Sequence, residues 1–139
     1  MTHFYQFEDM KVWQESRVLS KAIRQICKRD HVRRDFDFVD QITRAARSIT
    51  NNIAEGSDAM TTSEFIQFLG YAKRSGAEVR SQLFDALDEQ YISQQEFDDL
   101  SRHVKKICGM LAALIHHLQS LNPNFKRTFK QAPVNQSTS

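Results

Sequence analysis

Four basic residues carry the most distinctive chemistry in the sequence: Arg17, Lys21, Arg24 and Lys28, spaced four, three and four residues apart. Residues three and four apart are neighbours on a helix, so all four would project within one narrow arc. At about 100° per residue, that arc lies nearly opposite Val12, Leu19, Ile23 and Ile26, the apolar face of the same segment. No Asp or Glu shares it. Like charges at this spacing cost a helix a few tenths of a kcal/mol per pair, so local helix stability does not explain them. Trp13 stands one turn before Arg17, within reach of a cation–π contact, and Arg29, Arg33 and Arg34 extend the charge into the following turn. Two readings fit. One is a solvated face whose counter-charges come from neighbouring helices. The other is a track for the phosphate backbone of RNA or DNA, with affinity that falls steeply with salt. Nothing indicates base readout, since no reader motif or aromatic-studded sheet is present.

A second constellation runs from Gln41 through Arg44, Arg47, Ser48, Asn51, Asn52 and Glu55 to Gly56. Arg44 and Arg47 are further candidates for phosphate contact, although Asp40, four residues before Arg44, cancels part of that charge. Asn52 and Glu55 are placed to cap helix carbonyls or pin the next loop. Metal chemistry finds little support. No His is spaced four residues from another, no Cys-x-x-Cys occurs, and the Glu-x-x-His motif of di-iron bundles is missing. His103, His116 and His117 read as solvated or partly packed. Cys108 sits in a periodic core stretch with no Gly-rich turn to expose it as a nucleophile, and no phosphate-cradling loop is present. The sequence therefore argues against an enzyme and implies no cofactor.

Positioning those residues requires long regular elements. The chain of 139 residues is 40% apolar and 26% charged, with four Gly and two Pro, which suits one domain of long helices and few turns. Four segments show helical period: Glu8 to Arg29, Asp37 to Glu55, Thr61 to Gln90, and Ser93 to Leu121. Glu8 and Asp9 would occupy the first turn of the first helix, where its dipole favours negative charge. Gly56 would close the second in a left-handed conformation. Thr61 with Glu64, and Ser93 with Glu96, read as capping boxes. Gly70 and Gly76 inside the third helix suggest close approach of a neighbour, and Asn122-Pro123 ends the fourth. Short connections make sequential helices antiparallel. The expected fold is all-α: a single up-down-up-down four-helix bundle over residues 1–121, with a polar, mildly basic, flexible tail at 122–139.

The net charge of +2 is uneven, since residues 1–34 hold eight Lys/Arg against four Asp/Glu. A basic first helix on a mildly acidic body is a candidate polyanion surface. No apolar run approaches the roughly 18 residues of a membrane span, and the N-terminal residues do not read as a secretory signal. A cytoplasmic protein is expected, with Cys27 and Cys108 as reduced, small core residues.

Phe7-Glu8-Asp9-Met10-Lys11-Val12-Trp13-Gln14, Gln41-Ile42-x-Arg44-Ala45-Ala46-x-Ser48-Ile49, Asn52-Ile53-Ala54-Glu55-Gly56 and Ser63-Glu64-Phe65-Ile66-Gln67-Phe68-Leu69, followed by Ala72 and Glu78, together carry a family resemblance. Over residues 7 to 120 the chain resembles the bacterial four-helix bundle proteins encoded in intervening sequences of large-subunit ribosomal RNA genes. The resemblance implies an antiparallel bundle that assembles as a homopentameric ring. It also implies kinship with the accessory variability protein of diversity-generating retroelements, which binds a reverse transcriptase and nucleic acid. Two departures stand out. Thr50 replaces a frequent proline, and Ser57-Asp58-Ala59-Met60-Thr61-Thr62 replaces a loop that tends to be basic, which removes a polyanion contact. The functional expectation is a non-enzymatic homo-oligomer binding nucleic acid through a basic face, with a protein partner such as a reverse transcriptase. The alternative is an interaction scaffold without nucleic acid.

Overall fold

The structure, a computed structural model, describes residues 5–121. The expected tail and the stop at Asn122-Pro123 lie outside the described residues. Among the described residues, five helices follow in chain order: α1 (Lys11–Cys27), α2 (Asp30–Arg33), α3 (Phe36–Ser57), α4 (Thr62–Asp88) and α5 (Gln94–Ser120), with a 3-10 turn at Phe7–Asp9 before them. Among the described residues there is no strand, and no helix is long and apolar enough to cross a membrane. The four long helices form the bundle. The one-turn α2 plugs the connection after α1 by burying Val32.

Contacts along the helices fix their directions. Gly56 of α3 faces Phe65 of α4, while Ser75, further along α4, donates to Ser48, earlier in α3, at 2.8 Å. Gly76 of α4 faces Cys108 of α5, and Phe84 meets Phe97 with ring centroids 4.8 Å apart. Glu15 of α1 reaches His103 and Arg29 reaches Glu96 on α5. Each pair of series runs in opposite senses, so α3, α4 and α5 alternate in direction and α1 lies antiparallel to α5. The connections explain this: the five residues between α4 and α5 cannot return along a 27-residue helix of roughly 40 Å. At the centre, Leu19, Ile23, Ile49, Ile53, Phe65, Leu69, Leu83, Ile107, Leu111 and Leu118 are fully buried, as the 3–4 spacing of their apolar stripes requires.

The helix ends depart from expectation in three places. Glu8 and Asp9 are not in the first turn of α1 but in the 3-10 turn before it, and Met10 stands between in an extended conformation. Burial decides this break: Met10 is sunk into the core, and the Phe7 ring packs edge-on against Trp13 with centroids 5.0 Å apart. α3 does not close left-handed, since Gly56 lies inside it and its C-cap Asp58 has φ −97°; the left-handed closure is instead at the end of α4, on Gln90 at φ 62°. It ends α4 with Tyr91 N–H donating to Ala86 O at 2.8 Å and Gln90 N–H donating to Leu87 O at 3.0 Å, the double bond of a Schellman motif. At the start of α4, Thr61 accepts from Glu64 N–H at 3.1 Å, but the Glu64 carboxylate accepts from Met60 N–H rather than from that of Thr61. Ser93 and Glu96 form the full reciprocal capping box.

Gly56 is instead a packing residue inside α3, because a Cβ there would lie 2.8 Å from Phe65 Cδ1. At Gly76 a Cβ would meet Cys108 Sγ at 2.6 Å, whereas at Gly70 it would meet nothing within 4 Å. Close approach of a neighbouring helix therefore holds for Gly76 and fails for Gly70. Opposite outcomes are expected from one substitution. Gly70→Ala should stabilise the bundle by about 0.5–1 kcal/mol, since alanine restricts the unfolded chain and favours helix. Gly76→Ala should destabilise it by about 1–3 kcal/mol through overpacking. Denaturant midpoints of the two variants check both signs.

Candidate nucleic-acid interface

Burying Val12, Leu19, Ile23 and Ile26 turns the opposite side of α1 outward. Arg17, Lys21, Arg24 and Lys28 are exposed along it, over a rise of roughly 16 Å. Among the described residues, none of the four pairs with a carboxylate. Among the described residues, the neighbouring helices thus supply no counter-charge to the row. The Arg17 guanidinium carbon sits 5.8 Å from the Trp13 ring centroid, in cation–π range, and Arg24 donates to Ser20 Oγ at 3.2 Å. The four cations share one shallow trough of about 550 Å³ with Trp13, Gln14, Val18 and Gln25. Val18 is an exposed aliphatic side chain in a charged setting. The apolar pattern of the helix does not reveal it, because it falls off the buried stripe.

The remaining predicted residues separate from this trough. Arg44 and Arg47 are exposed on α3, and neither lines it. Arg44 is held by Asp40 at 3.2 Å, while Arg47 has no carboxylate partner among the described residues. The expected extension of charge past Lys28 is largely cancelled. Arg29 is turned onto Glu96 and the Tyr91 carbonyl, and Arg33 pairs with Asp30 at 3.1 Å. Arg29 lies just past the end of α1, at the start of α2, from where it reaches α5. Asn52 does not cap the end of α3 but donates to Ser48 O and Ser48 Oγ, joining the Ser48–Ser75 bond between α3 and α4. Glu55 is exposed.

A polar seam fixes α1 against α5. His103 Nε2 lies 2.7 Å from Glu15 Oε1, both side chains being about four-fifths buried, and Lys106 adds a contact at 3.4 Å. The His103 hydrogen bond, helped by Lys106, holds the Glu15 carboxyl below its ordinary range. At the other end Arg29 binds Glu96, whose carboxyl is pulled down to about 2, first by the guanidinium and then by the Ser93 N–H. A carboxyl with a lowered folded-state pKa contributes stability above its ordinary value near 4.5 and loses it as pH falls through the folded one. Thermal stability is therefore expected to decline between about pH 5 and pH 2, and Glu96→Gln should make that decline shallower. Melting temperatures of both proteins across this interval measure it.

Acidic groups gather elsewhere. Asp35, Asp37, Asp85, Asp88 and Glu89 line a separate depression at the start of α3 and the end of α4. Asp35 there caps α3 and accepts from the Tyr91 hydroxyl at 2.6 Å. No group of three His, Cys, Asp or Glu side chains is arranged to hold a metal ion among the described residues. Cys27 is buried, Cys108 is half-buried, and burial pushes both thiols up, away from the reactive thiolate.

The described residues form an all-helical bundle, and among them the row Arg17, Lys21, Arg24 and Lys28 on its outer face has no carboxylate partner. The sequence pattern of the 23S rRNA-intervening sequence proteins matches residues 8–113, and the chain belongs to that family. Its fold is similar to the crystal structure of a protein with unknown function from the S23 ribosomal protein family of Bacteroides thetaiotaomicron. The two share 22% identity and a TM-score of 0.69, over 75% of this chain and 97% of that one. None of the curated proteins compared with it matches the chain.

Proposed function

We propose that this protein is a non-enzymatic, homo-oligomeric nucleic-acid-binding bundle that holds a phosphate backbone on the outer face of α1. The observation that carries this reading is the row Arg17, Lys21, Arg24 and Lys28, exposed and without a carboxylate partner among the described residues. Four like charges gain nothing from one another, and a polyanion that releases its counter-ions rewards all four. Arg47 is a secondary contact on α3, and Arg44 a weaker one because Asp40 competes for it. Self-association draws support from Phe84, which packs on Phe97 yet is more than half exposed on the α4–α5 side, as apolar contact residues between subunits are. A pentameric ring and a protein partner such as a reverse transcriptase belong to the same proposal, through the family resemblance.

An interaction scaffold without nucleic acid is the second reading, favoured by the acidic depression around Asp85 and Asp88, which suits a basic protein partner. An electrophoretic shift assay of the full chain at about 0.1 M salt separates the two. At that ionic strength charge contacts within roughly 10 Å still act. Retarded RNA or DNA supports the first reading, and an unshifted probe with a stable oligomer supports the second.

A further inference from the structure

The trough on α1 holds more than cations. Trp13 and Val18 line it together with the four cations, and at about 100° per residue Trp13 falls on one side of the cation arc and Val18, past Gln14 and Gln25, on the other. Val18 is 59% exposed, and the Trp13 ring is half-buried, with Arg17 over it. A track built only for phosphates has no use for apolar flanks, which cost solvation while giving the backbone nothing. Unpaired bases do use such surfaces, because every base has an apolar face that stacks on aromatic rings and on arginine planes.

Resting on the phosphate-track reading, we propose that α1 takes single-stranded nucleic acid, with the backbone on the four cations and bases laid against Trp13–Arg17 and Val18. Spacing supports one strand. Successive cations rise by roughly 6, 4.5 and 6 Å along the axis, a single row with no parallel second row in the trough. A duplex keeps its bases stacked inside, so it would meet the cations and leave both flanks unused. Stacking of this kind is tolerant of sequence, in keeping with the absence of a base-reading motif.

Trp13 is the sole tryptophan of the chain, which makes it a built-in reporter. Three probes of equal length are titrated into the full chain at about 0.1 M salt: an oligothymidylate, the same oligomer with abasic residues, and a duplex. Thymidylate is expected to quench the tryptophan fluorescence and to bind about 5- to 100-fold more tightly than the abasic strand, as one stacked base provides. The abasic strand and the duplex should bind without quenching. Val18→Ser, at an exposed position that leaves the core intact, should weaken thymidylate binding several-fold and leave the abasic strand unchanged. Equal affinity for thymidylate and abasic strands, with fluorescence unmoved, overturns the stacking inference while the phosphate track stands. Binding of none of the three overturns both, and so does binding of a glutamate-rich peptide in their place.

Discussion

Replacing Arg17, Lys21, Arg24 and Lys28 together by glutamate is expected to weaken nucleic-acid binding by roughly 10³-fold at 0.1 M salt while leaving the bundle folded. The magnitude follows from counter-ion release. Each phosphate contact contributes about 0.7 to the salt exponent on single strands and 0.9 on duplex DNA, so four contacts amount to about 3 to 4 decades between 0.1 and 1 M salt. All four side chains are exposed and lie opposite the buried stripe of α1, and surface substitutions away from packed features usually change stability by about 0.5 kcal/mol or less each. Circular dichroism should therefore give the wild-type spectrum while filter binding gives the loss. Reversing Arg44 and Arg47 instead should have a smaller effect. Arg44 is already engaged by Asp40, and neither residue lines the trough.

The largest stability effect is expected at Phe65. Its side chain is fully buried, and it occupies the space that Gly56 leaves by lacking a Cβ, with Cδ1 2.8 Å from where that atom would stand. Truncation removes the transfer energy of the ring and opens a cavity between two closely packed helices, which relaxes only in part. Phe65→Ala should cost about 3–5 kcal/mol, a large fraction of the total stability of a domain this size. Gly56→Ala should also destabilise, because the added methyl has no space unless the ring moves. The double variant Gly56→Ala/Phe65→Ala is then expected to be more stable than the sum of the singles, since the methyl enters the space vacated by the ring. Urea unfolding of the four proteins completes that cycle.

The bundle was legible because its signals are local and repeated. Apolar residues at three- and four-residue spacing, two threonine or serine caps and few glycines specify long helices whatever they pack against. Where the structure departs from the sequence pattern, the cause is tertiary. The sequence places Gly56 at a left-handed end of α3, but it lies inside that helix, because ring packing at Phe65 fixes its use and only the tertiary structure reveals it; the left-handed residue is Gln90, at the end of α4. Glu8 and Asp9 leave the first turn of α1 because Met10 is buried just after them.

For the interface, the arc of Arg17, Lys21, Arg24 and Lys28 followed from helical geometry alone. What sequence spacing could not reveal is which cations find partners on other helices. Arg29 is lost to Glu96, 67 residues away, and the row of four is not. Val18 was invisible for a related reason, since exposure acquires meaning only beside the charges that share its trough.

The salt dependence of affinity for a single-stranded oligonucleotide, measured by fluorescence anisotropy between 50 and 200 mM salt, tests nucleic-acid binding by the α1 face most directly. A phosphate track of four contacts gives a slope of log K against log salt of about −3, equivalent to a loss of roughly 50-fold across that range. The quadruple glutamate variant should retain almost none of that slope. Affinity that stays flat with salt, or a wild-type slope that persists in the variant, would contradict the assignment of nucleic-acid binding to the basic face of α1.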